Sequence, residues 1–170
     1  MLRRVLLLLA LCLALAGVQA ARRTAHKGQA LDRRLAALSA RSAERGVSPR
    51  VLYLSASGGT AGDGTYINAA IAAAGGINVM AEDGVTGWPP GDPETVLAVE
   101  ADIVLTSFFN DGYTGLSSRA ARHSAYRRVL TQGETETIPA SDWPCAGPRL
   151  IDAAERIADI IDDWSARVPS

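Results

Sequence analysis

Residues 51–76 read VLYLSASGGTAGDGTYINAAIAAAGG, and the order of signals in this stretch decides the fold. Residues 51–54 form a short apolar run between turn residues, which is typical of a strand buried on both faces. A loop with four glycines follows at 55–64. Residues 66–74 favour a helix that ends at the pair Gly75-Gly76. The stretch therefore predicts a strand, a glycine-rich loop and a helix, in that order.

The same alternation of signals continues on both sides of this stretch. In the segment 25–45, Leu31, Leu35 and Leu38 recur at helical spacing, and Gly46 follows the last turn. Asp92 before Pro93 marks another helix start. Further strands are predicted at 78–80, 103–106 and 137–139, and further helices at 117–130 and 149–167.

This alternation of strand, loop and helix predicts an α/β fold with a mostly parallel sheet. We expect a single three-layer lobe with four to five strands at 49–170. A long helix at 21–48 is expected to precede it.

The segment 1–20 is typical of a secretory signal peptide. Arg3 and Arg4 give it a positive start, an apolar run follows at 5–16, and small residues precede Ala20. The run is shorter than the roughly 20 residues that span a bilayer as a helix. We expect cleavage after Ala20 and a periplasmic mature chain, with an uncleaved membrane anchor or a buried helix as the alternative.

Composition excludes two classes of protein. The 170 residues contain 17 Lys and Arg against 18 Asp and Glu, so no positive excess is available to neutralise nucleic-acid phosphates. The two cysteines, Cys12 and Cys145, are too few for a disulfide scaffold. Removal of the predicted signal peptide leaves one thiol.

The glycine-rich loop does not match a nucleotide-binding motif. Gly59 and Gly64 have the spacing of a phosphate-binding loop, but Thr65 and Tyr66 follow where Lys and Ser or Thr are required. The glycines allow the backbone to approach something closely, either a ligand or a neighbouring loop. The spacing alone favours neither.

No residue pattern requires an enzyme. His26 and His123 have no second donor at metal-ligand spacing, and His123 is expected on a solvated helix face. Cys145 lacks a nearby base that would activate it as a nucleophile. The sequence predicts no catalytic residue, no resident metal and no cofactor, and an α/β hydrolase remains only as a third interpretation.

Aromatic residues cluster in the predicted loops. Phe108, Phe109 and Tyr113 follow one strand, Trp143 lies in another loop, and Trp88 in a third. Flat rings on loops at one end of a sheet make a stacking platform for a large planar or apolar ligand. The alternative is that these rings fill the gaps between loops and helices.

Several of these motifs, in this order, resemble the C-terminal lobe of the class III periplasmic substrate-binding proteins of iron-siderophore, haem and cobalamin ABC importers. The resemblance covers about residues 27 to 165. It rests on VLYL at 51–54, GGTAGDGT at 58–65, AGGIN at 74–78, the PE helix start at 93–94, ADIV at 101–104 and SDWPCAGPR at 141–149.

The resemblance implies two α/β lobes joined by one rigid helix, with the ligand clamped between them. It also implies that an acidic residue, Glu82 or Glu94, docks on arginines of the permease. The chain passes from the predicted signal peptide directly to the helix at 27–45, so an N-terminal lobe is expected to be absent. Three explanations of its absence remain open: the lobe is encoded elsewhere, the protein has only one lobe, or the reading frame is degenerate or truncated.

We therefore expect a periplasmic, non-enzymatic binding lobe for a metal chelate, acting with an ABC permease. Replacement of Trp143 and Tyr113 by Ala is expected to remove binding and leave the fold intact. The alternative is a one-lobe interaction module that pairs with a permease or a separate lobe and binds no small molecule. The expected ligand contacts are Thr60, Asp63, Gly64 and Tyr66 for hydrogen bonds, Phe108, Asn110 and Tyr113 for a mixed wall, and Trp143 for stacking.

Overall fold

The computed structural model describes residues 2–107, 123–143, 147 and 149–168. The chain divides into two units, Met1–Ala36 and Ala37–Ser170. Helix α1 (Leu2–Arg45) begins well before the predicted position, because the Leu- and Ala-rich start of the chain has high helix propensity. Within the described part of the chain, no helix combines the length and apolarity needed to cross a membrane. Cleavage after Ala20 stays a prediction.

Four parallel strands form the sheet of the second unit. Their order across the sheet is β2-β1-β3-β4, and every neighbouring pair is parallel. The central strands are in register from the pair Val51 and Ile103 to the pair Ser55 and Ser107. The predicted α/β lobe with a parallel sheet is thus confirmed. The strands are β1 (Arg50–Ser55), β2 (Ile77–Asn78), β3 (Ile103–Ser107) and β4 (Glu134–Thr137).

Polar side chains fix the starts of two helices. Thr65 accepts a hydrogen bond from the amide of Asn68 at 3.1 Å, and Asp92 accepts one from the amide of Thr95 at 2.9 Å. The predicted cap at Asp92 is confirmed. The helices after α1 are α2 (Tyr66–Ala73), α3 (Val79–Glu82), α4 (Pro93–Ala98), α5 (Ser124–Gln132) and α6 (Leu150–Arg167), with a 3₁₀ turn at Ala140–Asp142.

Two predicted strands differ from the observed ones. The strand predicted at 78–80 ends at Asn78, because the side chain of Asn78 accepts from the amide of Met80 and begins α3. β4 begins three residues before the predicted 137–139 and overlaps it only at Thr137, since its alternating Glu and Thr residues carry no apolar signal. Of the helix predicted at 117–130, residues 117–122 lie outside the described part of the chain.

Helices cover both faces of the sheet and make three layers. On one face, Leu52, Leu54 and Val104 join a buried cluster with α3, α4 and α5. On the other face, a Cβ placed on Gly76 would lie within 3.3 Å of Val51, Ile71 and Ile161. Strand residues alternate between the two clusters, as the period of a strand requires.

The last turns of α1 are held on α6 by charged residues. Arg41 donates to Asp159 at 2.8 Å and to Asp162, and Arg45 Nε lies 2.6 Å from Asp162 Oδ1. Leu38 is buried. The predicted leucine stripe holds only in part, because Leu35 is 43% exposed.

Candidate functional site

The predicted site lies at the edge where the parallel strands end. β1, β3 and β4 stop at Ser55, Ser107 and Thr137, so their carboxyl ends share one edge of the sheet. In open α/β sheets, ligands bind beyond this edge. The candidate residues Phe108, Asn110 and Tyr113, together with Phe109, lie outside the described residues.

The glycine-rich loop after β1 packs against a second loop at 84–91. The amide of Gly62 donates to the carbonyl of Gly87 at 2.9 Å. Asp63 donates to Val85 at 2.8 Å and accepts from Gly87 at 2.8 Å. A Cβ at Gly62 would lie 2.1 Å from the carbonyl oxygen of Val85, so only glycine permits this approach. At Gly62, the close neighbour is therefore a loop rather than a ligand.

Gly64 is the open position of this loop. Its φ is +75°, a conformation that favours glycine, and no atom lies within 4 Å of the place of a Cβ. It directly precedes Thr65, which caps α2. The backbone at Gly64 is exposed at the start of α2, and its contact with a ligand stays a prediction.

The two predicted hydrogen-bonding side chains of this loop differ in exposure. Thr60 is 2% exposed, and its hydroxyl has no hydrogen-bond partner among the described residues. Asp63 is exposed, and its Oδ1 accepts from Nδ2 of Asn68 at 3.0 Å. Asp63 is thus the side chain of the pair that presents polar atoms to solvent.

Aromatic rings from four segments meet beside these loops. The ring of Tyr66 lies 4.9 Å from that of Trp88 and 6.2 Å from that of Trp143, and Trp143 meets Tyr53 edge-on at 5.9 Å. Trp88 is 50% exposed, although the sequence analysis left it out of the candidate contacts. The sequence signal that could have predicted this exposure is the position of Trp88 within a Gly- and Pro-rich loop. The structure thus brings Tyr66 together with Trp88 and Trp143.

Trp143 does not present the free ring that a stacking residue needs. It is 5% exposed and packs on Tyr53 and Tyr66, so it fills the space between loop and helix. Removal of a buried Trp costs about 3–5 kcal/mol, so loss of binding in Trp143→Ala would not by itself identify a ligand contact. Its contact with a ligand stays a prediction.

Tyr53 remains a neutral phenol at ordinary pH. Burial, with a smaller contribution from the neighbouring Tyr66, raises the pKa of Tyr53 to about 12. A phenol in this state donates a hydrogen bond or packs as a ring. The ring cluster therefore carries no charge at Tyr53 at ordinary pH.

The two candidates for permease docking lie in different surroundings. Glu82 pairs with Arg50, which begins β1 at the opposite edge of the sheet. Glu94 is exposed in the first turn of α4, and its carboxylate has no partner among the residues that the structure describes. Glu94 is thus the acidic group that is free to meet a partner.

His123 is exposed, as expected from its arginine-rich neighbourhood. Its Nδ1 also accepts from the amide of Ala125 at 3.3 Å and caps α5. Over the described residues, no three His, Cys, Asp or Glu side chains lie close enough together to hold a metal ion.

A cleft of about 570 Å³ lies at the opposite, amino edge of the sheet. The cationic residue of its lining is already paired, because Arg50 donates to Glu82, to the carbonyl of Glu100 and, through its amide, to Asp102. This cleft therefore does not replace the carboxyl edge as the candidate site. It is lined by Arg50, Val104, Val129, Gln132, Gly133 and residues 97–102.

Comparison with known proteins places this geometry among binding proteins. No family model matches the chain. The chain is 30% identical over 115 residues to a cobalamin-binding protein of Halobacterium salinarum, and this match covers 65% of the chain and 31% of the relative. Two solved structures are also similar, both of periplasmic haem-binding proteins.

The first of these is RhuT from Roseiflexus sp. RS-1 in apo form, with a TM-score of 0.61 at 25% identity; the match covers 79% of this chain and 54% of the RhuT chain. The second is BhuT in complex with two haems, with a TM-score of 0.60 at 26% identity; the match covers 83% of this chain and 56% of the BhuT chain. The chain spans about a third of the curated relative and about half of each solved structure. These matches confirm the resemblance drawn from the sequence: the chain is similar to one lobe of the class III periplasmic substrate-binding proteins of iron-siderophore, haem and cobalamin importers.

Proposed function

We propose that this chain is a periplasmic solute-binding component of an ABC importer for metal chelates such as ferric siderophores, haem or cobalamin. It contributes one lobe of the binding site and catalyses no reaction. The similarity to a cobalamin-binding protein and to haem-binding proteins supports this class of ligand. We also propose cleavage after Ala20 and delivery to the periplasm, which N-terminal sequencing of the secreted chain tests.

The observation that carries the proposal is the ring pair of Trp88 and Tyr66 at the carboxyl edge. Their centroids are 4.9 Å apart, and half of Trp88 is exposed to solvent. An exposed Trp beside a second ring offers a flat apolar face, which suits a macrocycle or another large planar ligand. Asp63 and the open backbone at Gly64 lie on the neighbouring loop after β1 and offer polar contacts to the edge of the ligand.

The experiment is a titration of the purified chain with haemin, cyanocobalamin and ferrichrome, followed by tryptophan fluorescence. We expect saturable quenching by one of the three. Trp88→Ala should weaken its binding about tenfold or more, since a ring contact of about 1.4 kcal/mol corresponds to a factor of ten. Free tryptophan corrects for light absorbed by the ligand.

Trp164→Phe is the matched control for the titration. Trp164 is half-buried on α6, three residues before Arg167, which pairs with Glu134 at the amino end of β4. The control therefore removes a Trp far from the candidate site, and it should keep the parental affinity. Equal losses in the two variants, or parental affinity in Trp88→Ala, would contradict the assignment of Trp88.

A specific observation favours the second candidate, an interaction module that binds a permease or a separate lobe and no small molecule. Leu35 on α1 is 43% exposed, and Glu94 has no partner among the described residues. If this reading is correct, none of the three chelates quenches fluorescence, and Leu35→Lys abolishes self-association or partner binding in size-exclusion chromatography with light scattering. Quenching by one chelate decides for the first candidate.

A further inference from the structure

We propose that Tyr126 is the positioning residue of the candidate site: its side chain fastens the loop after β1 to the loop at 84–91, so that the two act as one rigid platform. The inference depends on the proposed function only for the identity of the ligand that the two loops bind. Tyr126 belongs to α5 and to neither loop, and it is 5% exposed.

The hydroxyl of Tyr126 lies between carbonyl groups of the two loops. It donates to the carbonyl oxygen of Gly91 at 2.8 Å, and the carbonyl oxygen of Gly58 lies 3.4 Å away. The first distance is that of a good O–H···O hydrogen bond, and the second is that of a weak one. One buried donor from α5 thus reaches both loops.

Glycine at both positions makes this junction possible. A Cβ on Gly58 would lie 2.9 Å from Cζ and Oη of Tyr126, and the φ of Gly58 is +85°. A Cβ on Gly91 would lie 1.7 Å from the carbonyl oxygen of Gly58 and 3.1 Å from Oη of Tyr126. The two backbones therefore touch each other beneath the phenol, and a side chain on either glycine would separate them.

On each loop, the glycine that contacts Tyr126 lies only a few residues along the chain from a residue of the candidate site. Trp88 lies three residues before Gly91, and Thr60 lies two residues after Gly58. The amide of Thr60 faces the carbonyl of Pro89 at 3.5 Å, which adds a second, weaker tie between the loops. Anchorage at Tyr126 consequently limits how far Trp88 can move relative to the loop that carries Asp63.

The anchor itself is stiff. The ring of Tyr126 belongs to the buried cluster of Leu52, Leu54 and Val104, which are residues of the central strands. Packing of this kind leaves a side chain in one rotamer. The position of the hydroxyl is therefore set by the core of the lobe, and the loops take their position from it.

The test compares Tyr126→Phe with the parent in the full chain by hydrogen–deuterium exchange. Phe keeps the ring in the core and removes only the hydroxyl. We expect amide exchange to become roughly fivefold faster in peptides covering 56–64 and 84–92, the factor that one hydrogen bond supplies. Exchange in β1 and α6 should stay at the parental rate.

Thr135→Val is the matched control, since it also removes one hydroxyl and one hydrogen bond. Thr135 belongs to β4, and its hydroxyl donates to the carbonyl of Leu130 in α5 at 2.9 Å, away from both loops. This variant should leave exchange in 56–64 and 84–92 unchanged. Faster exchange across the whole chain in Tyr126→Phe would mean a general loss of stability and would overturn the proposal, as would unchanged exchange in the two loops.

Two further readouts separate positioning from simple stabilisation. Acrylamide should quench Trp88 more in Tyr126→Phe than in its parent, measured in a background with Trp143→Phe and Trp164→Phe. Where the parent binds haemin, cyanocobalamin or ferrichrome, the variant should release that probe severalfold faster, and an unchanged release rate overturns the positioning role. If the parent binds none of the three, the proposed function fails, while exchange and quenching still decide whether Tyr126 fastens the loops.

Discussion

Gly62→Ala should separate the two loops of the candidate site without any contribution from backbone strain. The φ of Gly62 is not in the left-handed region, so the cost comes from space alone. The new Cβ would lie 2.1 Å from the carbonyl oxygen and 2.5 Å from the carbonyl carbon of Val85, and these are backbone atoms that cannot rotate away. Separation breaks the three backbone hydrogen bonds that Gly62 and Asp63 share with Val85 and Gly87. At about 1 kcal/mol each, their loss lowers the free energy of unfolding by about 3 kcal/mol.

The assay is urea unfolding followed by circular dichroism. With an m-value of about 2 kcal/mol/M, the midpoint should fall by roughly 1.5 M. Gly64→Ala serves as the comparison, because its φ of +75° costs about 1–2 kcal/mol while no atom obstructs the Cβ. If Gly62→Ala is no less stable than Gly64→Ala, the close contact between the loops is not what holds this edge of the sheet together.

Two other predictions concern the charges on α1 and a buried phenol. Asp162→Asn should lower the free energy of unfolding by about 1–2 kcal/mol, because Arg45, whose side chain is 8% exposed, loses its carboxylate partner. Asp159→Asn, at a side chain that is 69% exposed, should cost less than about 0.5 kcal/mol in the same urea measurement, and equal losses would argue against a special role for Arg45. The raised pKa of Tyr53, about 12 against about 10 in the unfolded chain, makes stability fall as pH rises between these values, since only the unfolded chain loses the proton there. Urea midpoints at roughly pH 9 and pH 11 should therefore differ in the parent and differ less in Tyr53→Phe, and an equal fall in both would place the titrating group elsewhere.

The central strands and several helix boundaries could be predicted because their signals are local. Residues 51–54 and 103–106 are apolar runs that only a doubly covered strand accommodates, and both lie within observed strands. Asp92 and Thr65 satisfy helix amides with their own side chains. β4 was misplaced because an edge strand with Glu and Thr takes its stability from pairing with β3, and that pairing is not local.

The site was harder to predict because exposure depends on distant partners. Trp88 and Trp143 are both loop aromatics in the sequence, but one is 50% exposed and the other 5%. The difference arises from Tyr53 and Tyr66, whose rings enclose Trp143. Nor does the sequence around Gly58 show that its neighbour is Tyr126, 68 residues away. The position of each loop could be predicted from the order of strands and helices. The burial of its side chains could not, because it depends on residues that are distant in the sequence.

The geometry of this edge also sets an expectation for affinity. The described loops form a platform: Gly62 and Gly58 close its interior, while Gly64, Asp63 and one face of Trp88 are open to solvent. A platform covers one side of a ligand, whereas small-molecule sites in proteins bury about 70–90% of the ligand surface. A ligand held only by these residues would keep its other face in water. Its affinity would then depend on how little the platform moves, because each group that binding must immobilise subtracts from the free energy gained. If the proposed function holds, the fastening of the two loops by Tyr126 should therefore raise the affinity beyond what ring contacts alone supply.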